Sequence, residues 1–332
     1  MRRNKRYYIT RALIAVFALA FIFSGAMMIR TLVKQSQAKQ HNAWTAPTGS
    51  ETETLAAKEE YQGKKYRLNS SLSTVLFLGI DYGSEEDNKG NVVGTEGRSD
   101  TIILFILDDD NKTIKALLIP RDTMVNVDYY DEKGYYFTSA YTQITRQYSF
   151  GDSRKRSNYL TRKKVSEALL GIRVDDCLSF DAAGIVPVVE ALGGVTVTFT
   201  EDHTDIDPAY KKGASVKLSG EEMEHFIRER DVEEMGSNIP RVLRSYDLVQ
   251  SVFSQIKNGT ANYTLDELSD IASEYIESDL DAETLKKLSS YTFIDETILL
   301  PGETTRPKIY DEYHLNVEEE KELLLELFYK ER

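Results

Sequence analysis

Two short clusters in this chain carry the residue types needed for phosphate chemistry. One reads Gly97-Arg98-Ser99-Asp100-Thr101 and the other Ile119-Pro120-Arg121-Asp122. Arginine grips phosphate oxygens through paired N–H donors, and aspartate oxygens suit a hard cation such as Mg²⁺. Between the clusters, Ile102, Leu104 and Ile106 alternate with Ile103, Phe105 and Leu107, so this strand is apolar on both faces. Asp108-Asp109-Asp110-Asn111 supplies a turn, and Thr113 to Ile119 returns. An antiparallel hairpin brings the two clusters to one end of a sheet. Two arginines and two aspartates meeting there predict an anion site with a metal. A set of separate structural ion pairs is the competing reading, given 29% charged residues.

The neighbouring elements add candidates. Thr74 to Asp81 is a continuous apolar strand ending in an acid, followed by a glycine-rich loop over 82–97. That order places Asp81 near Arg98 and Asp100. Ser219-Gly220-Glu221-Glu222 has the capping-box pattern and opens a helix that delivers Arg228 and Arg230. Two residues apart, these converge only if the helix ends there and the chain extends. Pro240 opens a further helix with Arg241 and Arg244 one turn apart. Such a set could neutralise a pyrophosphate and its departing phosphate without a protein nucleophile.

The net charge of −13 hides an asymmetry. Residues 1–39 hold eight basic residues and no acidic one, while the rest holds all 54 acidic residues. So acidic a body repels nucleic acid. Ala12 to Ile29 is apolar apart from Ser24 and Gly25, long enough to span a bilayer at about 1.5 Å per residue. The greater positive charge before it predicts a cytoplasmic N-terminus, with the body of the chain outside the membrane. A cleaved signal peptide is the alternative. One cysteine, Cys177, excludes an internal disulfide, and the four histidines lack zinc-ligand spacing.

The chain divides into a cytoplasmic tail (1–11), a transmembrane anchor (12–29), an extracellular linker (30–70) with some helix around Glu53 to Tyr61, and a catalytic domain (71–332). Order is expected to begin at Ser73. The tyrosine-rich stretch from Tyr129 to Tyr148 reads as ordinary packing, with a cap over lipid or sugar as the alternative. Residues 150–163 carry five cations and read as a solvated loop and helix start. A helix is expected over Lys164 to Leu170, a strand over Val174 to Phe180, a helix ending at Gly193-Gly194 and a strand over Val195 to Phe199. This β-α-β order predicts an α/β fold with a parallel or mixed sheet. A strand near Thr292 to Leu300 and an amphipathic helix from Val317 to Tyr329 close the domain.

The chain resembles the LytR–CpsA–Psr family of membrane-anchored cell-envelope proteins. Besides the two clusters, the matching pieces are Leu76 to Asp81, Leu170-Gly171-Ile172, Val189 to Val195, Leu218-Ser219-Gly220 and Ile227 to Arg230. The resemblance implies a three-layer α/β/α domain with a mixed central sheet. It implies a phosphotransferase that moves a glycopolymer from a polyprenyl-pyrophosphate carrier to peptidoglycan, with Mg²⁺ or Mn²⁺. By motif match, Asp81 and Asp100 would be metal ligands, and Arg98, Asp100 and Arg121 catalytic. Arg98, Arg121, Arg228, Arg230, Arg241 and Arg244 would bind pyrophosphate. The alternatives are a polyprenyl-pyrophosphate hydrolase and a non-catalytic tether for lipid-linked polymer. Two positions depart from the family: Ser245 replaces its usual glutamine, and Phe137-Thr138-Ser139 replaces its Lys-Ile-Asn.

Overall fold

A computed structural model describes residues 58–83, 97–131, 133–199, 201–231, 233–258, 265–281, 284, 287–288 and 290–332. The expected membrane span at 12–29 and most of the loop at 82–97 lie outside them. Among the described residues no helix is long and apolar enough to cross a membrane.

In chain order the elements begin with β1 (Lys58–Tyr61), β2 (Lys64–Leu68), β3 (Leu72–Asp81), β4 (Arg98–Asp108) and β5 (Thr113–Leu118). Next come β6 (Met124–Tyr130), β7 (Tyr136–Gln143), a 3-10 segment (Ile144–Phe150), α1 (Arg154–Ala168) and β8 (Asp176–Asp181). Then follow α2 (Ile185–Ala191), β9 (Val195–Thr198), β10 (Ser215–Leu218), α3 (Gly220–Arg228), α4 (Asn238–Lys257), α5 (Leu265–Tyr275) and β11 (Ile276–Ser278). The chain closes with β12 (Thr292–Leu299), β13 (Gly302–Thr305), β14 (Glu312–Leu315), α6 (Val317–Phe328) and β15 (Tyr329–Glu331). Two compact units result. Among the described residues, a sheet unit comprises 58–179, 233–239 and 292–332, and a helical unit comprises 180–231 and 240–291.

In the sheet unit the strands run in the order β8-β3-β4-β5-β12. The β3–β4 and β4–β5 pairs are antiparallel, whereas β12 joins β5 in parallel, so the sheet is mixed as expected. The hairpin forms as read, with Asp108 opposite Thr113 across the turn. Leu76, Leu78, Leu104 and Leu117 pack one face of the sheet against Leu160 of α1 and Phe328 of α6. Ile103, Phe105, Ile114 and Leu118 on the other face are buried too, which accounts for an apolar run without polar alternation. Each such side chain contributes about 1.5–3 kcal/mol through burial.

The structure corrects four expectations. Residues 58–61 and 64–68, read as linker with some helix, are antiparallel strands, and β15 pairs with β2. Three strands that each pair along an edge need no long apolar run, so sequence periodicity is silent there. The cation-rich segment is helical from Arg154, with Ser153 as its N-cap. Its Arg156 is buried rather than solvated, because Asp152 pairs with it at 3.3 Å, and Lys164, just beyond the segment, is buried against Asp128 at 3.2 Å. Finally, β9 pairs only with β10, antiparallel, so β8-α2-β9 is not a parallel crossover.

In the helical unit, Val189 of α2, Val195 and Val197 of β9, and Met223 and Phe226 of α3 form a separate core. The capping box at Ser219 and Glu222 is present and starts α3.

Glu320, in the first turn of α6, is 2% exposed, and its Oε1 has no hydrogen-bond partner. Burial pushes its carboxyl up to about 7. The folded state therefore keeps a proton that the unfolded chain releases near its ordinary value, and stability falls as pH rises from about 4.5 to about 7. Glu320→Gln is expected to stabilise the protein at pH 8 by about 1–3 kcal/mol and to flatten that slope. Asp247, also raised to about 7 by burial, leaves a residual slope. Urea unfolding at pH 5 and pH 8 measures both. An equal loss of stability between the two pH values in parent and variant would discard this account.

Candidate functional site

The site in the sheet unit is built on a register change. Gly79 stands opposite Thr101, Ile80 opposite Ser99 and Asp81 opposite Arg98, so Asp100 is the extra residue of a bulge in β4. A bulge re-aims the side chains around it at the end of a strand. It needs a small partner: a Cβ on Gly79 would lie 2.9 Å from Thr101 Cβ. Gly97 begins the turn into β4 with φ +63°, and a Cβ there would lie 2.8 Å from the Tyr82 ring. The 3-10 segment pins the bulge, with the Ser149 hydroxyl donating to the Gly97 carbonyl at 2.7 Å and that of Ser99 to the Thr145 carbonyl at 3.4 Å.

Arg121, leaving β5, donates through Nη1 to Asp100 Oδ1. The Thr145 hydroxyl donates to the same oxygen at 3.4 Å. The side chains of Arg121 and Asp100 are 12% and 15% exposed. Arg121 Nε lies 3.7 Å from Asp122 Oδ1 and has no hydrogen-bond partner of its own. Such a pair is enclosed enough to hold geometry yet reachable from solvent. Asp81 and Arg98 flank it by register, and Arg98 is exposed. Of the residues expected at this end of the sheet, Arg121, Asp100 and Asp122 come together, and Arg98 lies at the same end by register.

Asp122 has a different role. It is 5% exposed and accepts from Gln143 Nε2 at 2.8 Å and from Asn238 Nδ2 at 2.6 Å. Its carbonyl accepts the Tyr313 amide. Gln143 also donates to the Asp311 carbonyl at 2.8 Å. Asp311 in turn accepts from Gly236 N and Arg306 Nε at 2.9 and 2.6 Å. Asp122 is thus the buried anchor that fixes Arg121, not a ligand-facing acid. Sequence reasoning missed Gln143, Thr145, Asn238, Arg306 and Asp311. They lie far apart in the chain and outside any motif, so no local signal marks them.

The remaining arginines belong to the helical unit. The α3 helix ends at Arg228, and Glu229 is extended, the condition required for Arg228 and Arg230 to turn the same way. Arg228 Nε donates to Glu224 at 3.0 Å and is exposed, while Arg230 and Arg241 are half-buried. Arg244 is 4% exposed, lies over the Phe226 ring at 5.7 Å and donates through Nη2 to the Glu229 carbonyl. Burial pulls its guanidinium below the usual range, against the raising influence of Asp205, Glu229 and Asp247. It holds the Arg228–Arg230 segment in place. Ser245, where the family usually has glutamine, turns its hydroxyl onto the Arg241 carbonyl at 3.0 Å.

Among the described residues no three His, Cys, Asp or Glu side chains gather into a cation cage. Asp81 and Asp100 offer two carboxylates at one strand end. That donor set fits Mg²⁺, which binds through one or two carboxylates and completes its shell with phosphate oxygens and water.

A family model described as the LytR_cpsA_psr family matches residues 31–319. The chain belongs to the LytR–CpsA–Psr family. Bacillus subtilis TagV, a polyisoprenyl-teichoic acid–peptidoglycan teichoic acid transferase, is 28% identical over 62% of this chain and 49% of its own length. The chain thus spans about half of that relative. Bacillus subtilis TagT, of the same printed activity, is 27% identical over 76% of this chain and 75% of its own. A solved structure of TagT bound to LI-WTA superposes with a TM-score of 0.57 at 24% identity, covering 86% of this chain and 98% of that one. The structure of B. subtilis TagV gives 0.53 at 21%, covering 78% and 97%. The fold of this LytR–CpsA–Psr protein is accordingly the mixed α/β fold of those structures.

Proposed function

We propose that this chain is a membrane-anchored phosphotransferase that moves a glycopolymer from a polyprenyl-pyrophosphate carrier to peptidoglycan. Its domain would stand outside the cytoplasmic membrane, with the helix at 12–29 as anchor and the N-terminus inside. The observation that carries this reading is the Arg121–Asp100 pair seated in the bulge beside Asp81 and Arg98. Relatives named as teichoic acid transferases support it.

A sugar hydroxyl of the acceptor attacks the phosphorus next to the glycan, and the bond from that phosphorus to the oxygen of polyprenyl phosphate breaks. Arg98 and Arg121 stabilise charge on the pyrophosphate oxygens. By the family resemblance Arg228, Arg230, Arg241 and Arg244 would bind pyrophosphate as well, and Arg244 supports the Arg228–Arg230 segment through the Glu229 carbonyl. Asp81 or Asp100 takes the hydroxyl proton. The same two carboxylates would hold Mg²⁺ or Mn²⁺, which when bound neutralises phosphate charge.

The test combines the full-length chain with a synthetic polyprenyl-pyrophosphate saccharide, Mg²⁺ and peptidoglycan fragments. Mass spectrometry should show glycan-phosphate adducts that vanish with EDTA. Free glycan phosphate without an adduct would replace the transferase by a hydrolase. Binding with neither product would replace it by a tether.

A further inference from the structure

The β6–β7 ribbon displays aromatic side chains that the fold does not use. Tyr136 and Tyr141 are 60% and 59% exposed, and Phe137, beside the register shift, is 77% exposed. On the inner side, Val125 and Val127 enter the core. On the other face, Asn126 stands opposite Tyr141, Asp128 opposite Ser139, and Tyr130 opposite Tyr136. Tyr130 and Tyr136 meet edge to face, with ring centroids 6.1 Å apart. Between the exposed rings lies a polar line, in which the Tyr136 hydroxyl is 2.9 Å from that of Ser139, and Ser139 donates to Asp128 at 2.7 Å. At its base, Gln143 donates to Asp122, the residue after Arg121. The face therefore runs outward from the candidate site.

We propose that this face is the platform on which the acceptor glycan lies, a proposal that rests on the transferase reading. A pyranose ring has an apolar C–H face that stacks on a phenol ring and a hydroxyl edge that seeks paired donors and acceptors. Tyr136 and Tyr141 are about 13–16 Å apart along the strand, the reach of a few linked sugars. The hydroxyls of Ser139 and Tyr136 and the Asp128 carboxylate meet the polar edge. Charge selects against the other occupants. Lys164 pairs with Asp128 at 3.2 Å and Arg156 lies over Tyr130 at 5.2 Å, so both nearby cations of α1 are engaged. With its line of hydroxyls and a carboxylate between the rings, the face suits a neutral hexosamine strand better than a phospholipid surface or an anionic polymer.

The probe is the neutral hexamer of N-acetylglucosamine, titrated calorimetrically against the full-length chain. The Tyr136→Ala/Tyr141→Ala double variant should weaken binding about tenfold or more, as loss of two ring contacts requires. Tyr310→Ala, which removes a still more exposed ring outside the ribbon, should leave Kd unchanged. In transfer assays the double variant should raise the acceptor KM and leave kcat intact. Absence of hexamer binding by the parent, an unchanged Kd in the double variant, or a loss of binding only to anionic phospholipid vesicles would overturn the platform. An unchanged acceptor KM would overturn it while transfer itself stands. Hexamer binding lost in the variant, with no transfer by the parent, would support the platform and remove the transferase reading.

Discussion

Arg121→Ala is expected to lower transfer by about 10²–10³-fold or more, the scale of losing one preorganised donor to developing negative charge. The same change removes the cation beside Asp100, which is only 15% exposed at its side chain. Breaking a buried pair from one side costs about 3–5 kcal/mol, and the partial exposure here places the cost at the lower end of that range or below it. Loss of activity and loss of stability must therefore be separated. Arg121→Lys does so. It retains a charge near Asp100 but lacks the planar fork that grips two phosphate oxygens. Urea midpoints close to the parent's together with a large loss of kcat are the expected result. Transfer at the parental rate by either variant would remove Arg121 from the mechanism.

Asp122→Ala is expected to act on stability first, by about 3–5 kcal/mol. It strands the amides of Gln143 and Asn238, which donate to its two oxygens at 2.8 and 2.6 Å. Asp122→Asn keeps the shape and one acceptor but turns an N–H toward a neighbouring amide donor. It should cost about 1–3 kcal/mol, an intermediate value. Denaturant unfolding ranks the three proteins. A midpoint for the alanine variant equal to the parent's would show that this network is not the anchor. Because Arg121 precedes Asp122 in the chain, both variants should also lower transfer under conditions where they remain folded.

The hairpin and its two motifs were legible because strand burial writes itself as an apolar run and the turn as four polar residues. Asp81 was legible for the same reason, as an acid ending such a run. The bulge at Asp100 was not, since one unpaired residue leaves no trace in periodicity; only Gly79 opposite Thr101 hints at it. The helix end at Arg228 could be stated in advance only as a condition, because nothing in Glu229 forbids another turn. The burial of Arg156 was misread because a cation looks solvated until its carboxylate, here four residues earlier in the chain, is placed. The anchor around Asp122 was invisible for a stronger reason: its partners come from three distant segments. The tyrosine-rich stretch divided in two. Tyr129 packs on Phe150 with centroids 4.4 Å apart, as ordinary packing implies, whereas Tyr136 and Tyr141 face outward.

The anchor also has a consequence in time. Asp122 waits for Asn238, 116 residues later, and Gln143 waits for the Asp311 carbonyl, 168 residues later. The sheet beside them waits for β12 to dock in parallel on β5. Contacts closing loops of that length form late and slowly. A chain emerging from its N-terminus therefore holds Arg121 loosely until almost all of it has been delivered. The segments that arrive late, those around Asp311 and β12, are thus the ones that fix the position of Arg121.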